Sequence, residues 1–210
     1  MPSYPSSSMR YFFKCAGPHH VLVFAAMTWC LNLPVHAGTE NFAARAVAAG
    51  DTQGQVFAVI DKTAATVSLY DVFGKLMATS PVLLGQAKGD VSVPGIGERA
   101  IQEIAPHERT TPAGRFKSEP GKNLSGETIV WIDYDAAVSM HRLRPSSPLE
   151  KRPERMATVT PLDNRITYGC VNVPADFYER WVMPTLGNTP GLIYVLPETK
   201  HAKKVFSFLR

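Results

Sequence analysis

Cysteine is scarce in this chain: three in 210 residues, at Cys15, Cys30 and Cys170. That excludes a disulfide-stapled scaffold, and one cysteine with scattered histidines matches no usual metal-ligand spacing. Charge of either sign is also thin, with 22 basic against 18 acidic side chains. Such a near-neutral balance offers no electrostatic case for nucleic acid. No apolar run reaches the roughly 20 residues that a spanning helix needs; the stretch Val21–Leu33 falls short of it. Neither a G-x-S-x-G elbow nor a Walker-type phosphate loop occurs. "GIGERA" at 95–100 lacks the third glycine of a dinucleotide loop and follows "SVP" rather than a clean strand.

What is present begins with an export signal. Arg10 and Lys14 form a basic front, Val21–Leu33 an apolar stretch, and Val35 and Ala37 the small residues of a V-x-A site before Gly38. That is the layout of a cleaved secretory signal peptide over 1–37, which leaves no stable membrane span. Cleavage would remove Cys15, Cys30, His19, His20 and His36, and take the formal charge from +4 to +2. Cys170 then stands alone in an oxidising compartment. A leftover cysteine there is a reactive thiol, an intermolecular partner, or a buried small hydrophobe; count alone leaves these open.

The remainder suits a single domain. Residues 38–54 read as a short helix or lead-in, 55–198 as the domain, and 199–210 as a basic, solvated tail that carries His201. "QVFAVID", "ATVSLYD", "AGRFKSE", "ETIVWIDY", "AAVSMHRL" and "GLIYVL" are short, β-rich runs bounded by turn residues. "FGK" at 73–75 reads as a hairpin turn, and "PADFYERWVM" as the one helix, with Pro174 in its first turn. The expected fold is mostly β, a sandwich or partly closed barrel with one short helix after Cys170. Two long polar stretches, 85–112 and 144–165, resist this scheme. Long loops in compact domains are usually functional or disordered, and the second is placed to fold over His141 and Cys170.

A thiol needs its proton removed, and an adjacent imidazole or helix start does that. Cys170 precedes the expected helix, and Gly169 lets the backbone turn sharply beside it. Amide groups around Gly169 and Cys170 are then candidates to face an oxyanion. His141 shares an alternating strand face with Ala137, Ser139 and Leu143, a rigid mount for a base. His107 lies in a loop and is the reserve candidate.

"TYGCVNV" resembles the signature of the L,D-transpeptidase (YkuD-like) catalytic domain, Ser/Thr-His-Gly-Cys, an apolar residue, then Asn or Arg. Thr167, Gly169, Cys170, Val171 and Asn172 fit it, whereas Tyr168 stands where the family has His. The segment opening at "FAVIDK", "RTTPAGRF" and "VSMHR" resemble further family segments in the expected order, across 55–196. The resemblance implies an exported, periplasmic or cell-wall acyltransferase on peptidoglycan stem peptides, with Cys170 as nucleophile, His141 as base and no cofactor or metal. A second stem peptide or a wall-anchored protein would be the acceptor, and water would make it a carboxypeptidase. Tyr168, Thr167, Asn172 and Arg142 would order the site or bind substrate. His141 is followed by Arg142 and Leu143 rather than by the family's small residues, and lies 29 residues before Cys170, which implies a lid insertion between them. Arg142 or Arg144 would suit a substrate carboxylate. The alternative is a peptidoglycan-binding module with a degenerate site.

Overall fold

A computed structural model describes residues 37–144 and 147–210. The expected signal segment, with Cys15 and Cys30, lies outside the described residues, apart from Ala37. Ten strands follow an N-terminal helix α1 (Ala37–Ala48). They are β1 (Phe57–Asp61), β2 (Thr66–Tyr70), β3 (Leu76–Pro81), β4 (Leu84–Gly85), β5 (Gly114–Lys122), β6 (Thr128–Asp133), β7 (Val138–Arg142), β8 (Arg165–Thr167), β9 (Val171–Val173) and β10 (Gly191–Val195).

Eight strands form one sheet in the order β3-β2-β1-β10-β5-β6-β7-β9, and β4 pairs with β8. The two edges of the large sheet meet. Leu83, just past β3, exchanges backbone hydrogen bonds of 3.0 and 2.9 Å with Asn172 of β9. The sheet is therefore a partly closed barrel, as its strand-rich sequence implies. Alternation sorts the side chains. Ala58 and Ile60 of β1, Val138 and Met140 of β7, and Val171 and Val173 of β9 enter the enclosed core. The helical segment after Pro174, which starts at Ala175–Phe177 and continues as a π turn over Tyr178–Val182, plugs that core with Phe177, Tyr178 and Val182.

Phe57 and Val59 point the other way, into a second cluster built with α1 and the chain end. Here the structure departs from the reading of 199–210 as a solvated tail. Phe206 and Leu209 are buried, and Phe42 of α1 stacks edge-on against Phe206, Phe208 and Tyr194 at 4.8, 5.3 and 5.3 Å. Burying three aromatic rings outweighs solvating Lys203 and Lys204, whose charged ends stay in water. Among the described residues no helix is long and apolar enough to cross a membrane.

Behind the barrel wall sits a buried charge cluster with no obvious sequence signal. Lys62 donates to the carbonyls of Gly89 and Thr111 (2.9 Å for the latter) and to the Asp90 carboxylate at 2.8 Å. Asp90 also accepts from the backbone N–H groups of Glu198, Thr199 and Lys200 at 2.8, 2.9 and 2.7 Å. The cluster ties β1, the 85–112 stretch and the C-terminal segment together.

Candidate active site

Strands β7 and β9 run parallel, with Met140 opposite Val171, His141 opposite Asn172 and Arg142 opposite Val173. Because Met140, Val171 and Val173 face the core, period-two alternation puts Ser139, His141, Cys170 and Asn172 together on the other face. Cys170 is half-buried and is the free cysteine among the described residues.

The turn before Cys170 needs its glycine. Gly169 has φ +130°, and a Cβ there would lie 2.9 Å from the Thr110 carbonyl oxygen and 3.3 Å from Val138. Two threonine hydroxyls pin the turn. Thr111 accepts from the Gly85 N–H at 2.9 Å and donates to the Gly169 carbonyl at 2.8 Å. Thr167 accepts from the Gly169 N–H at 3.2 Å and donates to the Cys170 carbonyl at 2.6 Å. The Gly169 amide is therefore already engaged, and it does not face outward as the sequence reading expected. Nor does the helix start reach the thiol: β9 intervenes between Cys170 and Ala175.

The thiol lies 3.6 Å from the Ser139 hydroxyl and 3.7 Å from the Ala137 carbonyl. Ser139, not His141, stands beside it. His141 is one same-face position further along. Its Nδ1 is 2.8 Å from the Arg142 carbonyl, which only accepts, so the proton sits on Nδ1. Its Nε2 is 3.1 Å from Asn172 Nδ2. The amide's orientation is set in turn by Arg152, whose guanidinium donates to Asn172 Oδ1 at 3.0 Å. The chain Arg152 to Asn172 to His141 to the Arg142 carbonyl thus defines one tautomer, with a lone pair on Nε2. Burial pushes the imidazole below its ordinary pKa; the Arg142 carbonyl opposes this, and Arg144 and Arg152 add to it. At neutral pH His141 is a neutral base. No hydrogen bond joins it to Cys170 among the described residues.

Tyr168 lies under the Arg109 guanidinium, 3.9 Å from its ring centroid, and borders the same cleft as Cys170. This cleft, about 330 Å³, is walled by Ile96, Ile101 and Ile104 from the 85–112 stretch. That stretch is not a free loop. It folds as three 3-10 turns, stapled where Arg99 grips Glu108 at 2.7 and 3.1 Å. His107 is exposed on the last of them. Arg142 is carried to the opposite side of β7, where it pairs with Glu179, bonds the Thr128 carbonyl at 2.9 Å and covers the Tyr178 ring. The structure does not bring it to the thiol.

The 144–165 stretch contributes a residue that sequence reasoning missed. It carries helix α2 (Arg152–Ala157), whose first residue holds Asn172. Ser139 and Thr111 were also missed as site residues, although Ser139 lies on the strand face already read from the sequence and Thr111 in a segment already singled out. Among the described residues no group of His, Cys, Asp and Glu is placed to hold a metal ion.

No family model and no curated protein matches the chain. Solved structures are similar to it at low identity. An L,D-transpeptidase structure, LdtMt1 in complex with imipenem, is 16% identical with a TM-score of 0.41, covering 67% of this chain and 58% of that one. The helical cell shape determining protein Pgp2 from Campylobacter jejuni is 15% identical with a TM-score of 0.43, covering 77% and 56%. The catalytic domain of the E. faecium L,D-transpeptidase is 19% identical with a TM-score of 0.38, covering 68% of this chain and 98% of that domain. The chain thus spans under two thirds of the first of these structures.

Proposed function

We propose that the chain is an exported, cysteine-dependent L,D-transpeptidase acting on peptidoglycan stem peptides, with Cys170 as nucleophile and His141 as base. The observation that supports it most is the placement on one strand face: a thiol on a glycine-shaped, hydroxyl-pinned turn and, one same-face position further along, an imidazole whose Nδ1 proton is committed to the Arg142 carbonyl. An imidazole so held keeps its lone pair on Nε2, where it accepts from Asn172 at rest and can take a proton once that bond opens.

The reaction runs in two halves. The Cys170 Sγ–H proton passes to His141 Nε2, and the sulfur attacks the carbonyl before the terminal D-alanine. The carbonyl π electrons move to oxygen, giving an oxyanion for which the Cys170 N–H is the candidate donor. The oxyanion collapses, the C–N bond breaks, and His141 returns the proton to the leaving amine. The thioester on Cys170 is then attacked by an acceptor amine, whose proton passes through His141 to the sulfur as the C–S bond breaks. Stem-peptide amines, a wall-protein amine, or water fit the acceptor role. Proton transfer requires the thiol to leave Ser139 and Ala137 and Asn172 to release the Nε2 lone pair.

The resting contacts favour one rival. With Nε2 engaged by Asn172 and the thiol against Ser139, the same domain could hold a wall peptide without turning it over. Incubating the purified domain with a disaccharide-tetrapeptide, and assaying both free D-alanine and the mass of Cys170, separates the two. Release with a transient adduct supports the enzyme. Tight binding without either establishes the module.

A further inference from the structure

The face of the barrel that carries Ser139, His141 and Cys170 continues past β7 onto β6 and β5. Trp131 of β6 stands opposite Ser139, and Glu119 of β5 stands opposite Trp131. Val130 and Met140 enter the core, so alternation puts Glu119, Gly121, Trp131 and Ser139 on the other side of the sheet. The turn from β6 to β7 links this surface to the thiol. It closes with the Ala137 N–H donating to the Tyr134 carbonyl at 3.0 Å. At one end of the turn the Ala137 carbonyl lies 3.7 Å from the Cys170 sulfur, and Ala136 and Ala137 border the isoleucine-walled cleft. At the other end Tyr134 is 75% exposed, beside Trp131.

The two rings make a corner, and a glycine shapes it. Their centroids are 5.1 Å apart and their planes are inclined by 67°. A Cβ at Gly121 would collide with the indole Nε1 and lie 2.6 Å from Cδ1. The indole therefore lies down across β5, in space that any other residue would fill, and Trp131 stays partly exposed. Tyrosine and tryptophan present an apolar body and a polar tip. Among the described residues neither the indole N–H nor the Tyr134 hydroxyl has a hydrogen-bond partner. Lys117 and Glu119, exposed on the same side of β5, have no ion pair there either. Phosphate groups would call for a cluster of cations, and Lys117 is offset by Glu119. Aromatic faces ringed by unengaged donors and acceptors fit a pyranose ring instead. Its C–H bonds stack on an aromatic plane while its hydroxyl groups hydrogen-bond at the rim.

We propose that Trp131 and Tyr134 form a stacking platform for a pyranose ring of the N-acetylhexosamine class, and that it takes the sugar on which the stem peptide is carried. The choice of that sugar rests on the catalytic reading above. In a tetrapeptide stem the attacked carbonyl belongs to the third residue, and three extended residues span about 10 Å. Neighbouring strands lie about 4.8 Å apart. Two steps, from β7 with Ser139 beside the thiol to β5 under the indole, therefore cover about the same distance. A stem whose reacting carbonyl sits at Cys170 crosses the turn at Ala136 and Ala137 and brings its sugar-bearing N-terminus to the corner. The platform selects a glycan-borne stem over a free peptide.

The test starts with chitotriose, an N-acetylglucosamine trimer without peptide, titrated into the unsubstituted chain by calorimetry. The expected result is saturable binding that Trp131→Ala and Tyr134→Ala each weaken about tenfold, the scale of a lost aromatic contact. Tyr134 is largely exposed, so its variant reads the platform without endangering the fold. Gly121→Ala keeps both rings but fills the space under the indole, and should weaken binding too. No binding of the trimer overturns the platform. So does binding that survives both ring substitutions, since the sugar is then held elsewhere. A second arm compares a disaccharide-tetrapeptide with the bare tetrapeptide on the Cys170→Ala chain, so that turnover does not intervene. The disaccharide form should bind about tenfold tighter, and Trp131→Ala should abolish the difference. Equal binding of the two overturns the assignment to the stem's own sugar. The catalytic reading is scored separately, by D-alanine release from the unsubstituted chain. Ring-dependent trimer binding with no D-alanine released leaves the platform standing and sinks the enzyme. Release that ignores both the disaccharide and Trp131→Ala sinks the platform and leaves the enzyme.

Discussion

Replacing Thr111 by valine removes one oxygen and nearly nothing else, and the structure says what that oxygen does. Thr111 is fully buried. Its hydroxyl accepts from the Gly85 N–H at 2.9 Å and donates to the Gly169 carbonyl at 2.8 Å. Valine fills the same space and can do neither, so a buried donor and a buried acceptor lose their partner together. Each such loss costs about 1–3 kcal/mol, which puts Thr111→Val at about 2–6 kcal/mol less stable. That is a substantial part of the ~5–15 kcal/mol typical of a domain. The backbone at this residue stays put, because Lys62 still donates to the Thr111 carbonyl at 2.9 Å. The damage is therefore local to the Gly169–Cys170 turn. We expect D-alanine release to fall more than tenfold while Thr111→Ser, which keeps the hydroxyl, retains most of it. Urea unfolding followed by tryptophan fluorescence gives the stability, and release assays give the rate. A Thr111→Val chain with wild-type stability and turnover would refute the idea that this hydroxyl holds the nucleophile.

His141→Ala should cut turnover by roughly two to four decades, the usual worth of a positioned acid–base group, whereas the exposed His107→Ala should do little. Because burial holds the His141 pKa below its ordinary value, the acid limb of kcat/KM should fall below about pH 6.5, and an acid limb above that would contradict the assignment. The sign for stability is the same: the unfolded chain binds the proton more readily, so His141's contribution is complete above about pH 6.5 and is lost as pH falls. Lys62→Met leaves the fully buried Asp90 without its cation, so a loss of about 3–5 kcal/mol is expected by urea unfolding; a neutral outcome would mean that the cluster is solvated. Tyr168→Phe should keep turnover within about threefold of wild type, because the ring, not a hydrogen bond from its hydroxyl, supports Arg109; a large loss would assign the hydroxyl a role in the reaction.

What could be read in advance follows from how local each signal is. The face carrying Ser139 and His141 was legible because alternation survives in a five-residue strand, and Cys170 with Gly169 because a lone thiol beside a glycine is chemically conspicuous. Strands β4, β8 and β9 were not, since two or three residues carry no period, and they are strands only through partners distant in sequence. The same holds for Arg152, which acts through Asn172, 20 residues away. Thr111 reaches Gly169 across 58 residues, and no local pattern announces such a contact. The chain end was misjudged for a different reason: its lysines masked Phe206, Phe208 and Leu209, whose value appears only once α1 presents Phe42 to them. Arg142 was misplaced by one alternation, since an odd step along β7 carries it to the far side from His141.

The central claim is that Cys170 carries the acyl group. Intact-mass measurement of the chain during reaction with a disaccharide-tetrapeptide, beside Cys170→Ala, tests it most directly. The account predicts a transient gain equal to the substrate less D-alanine, located on Cys170, with free D-alanine appearing in step, and neither with Cys170→Ala. D-alanine released by the alanine variant at the wild-type rate would contradict it.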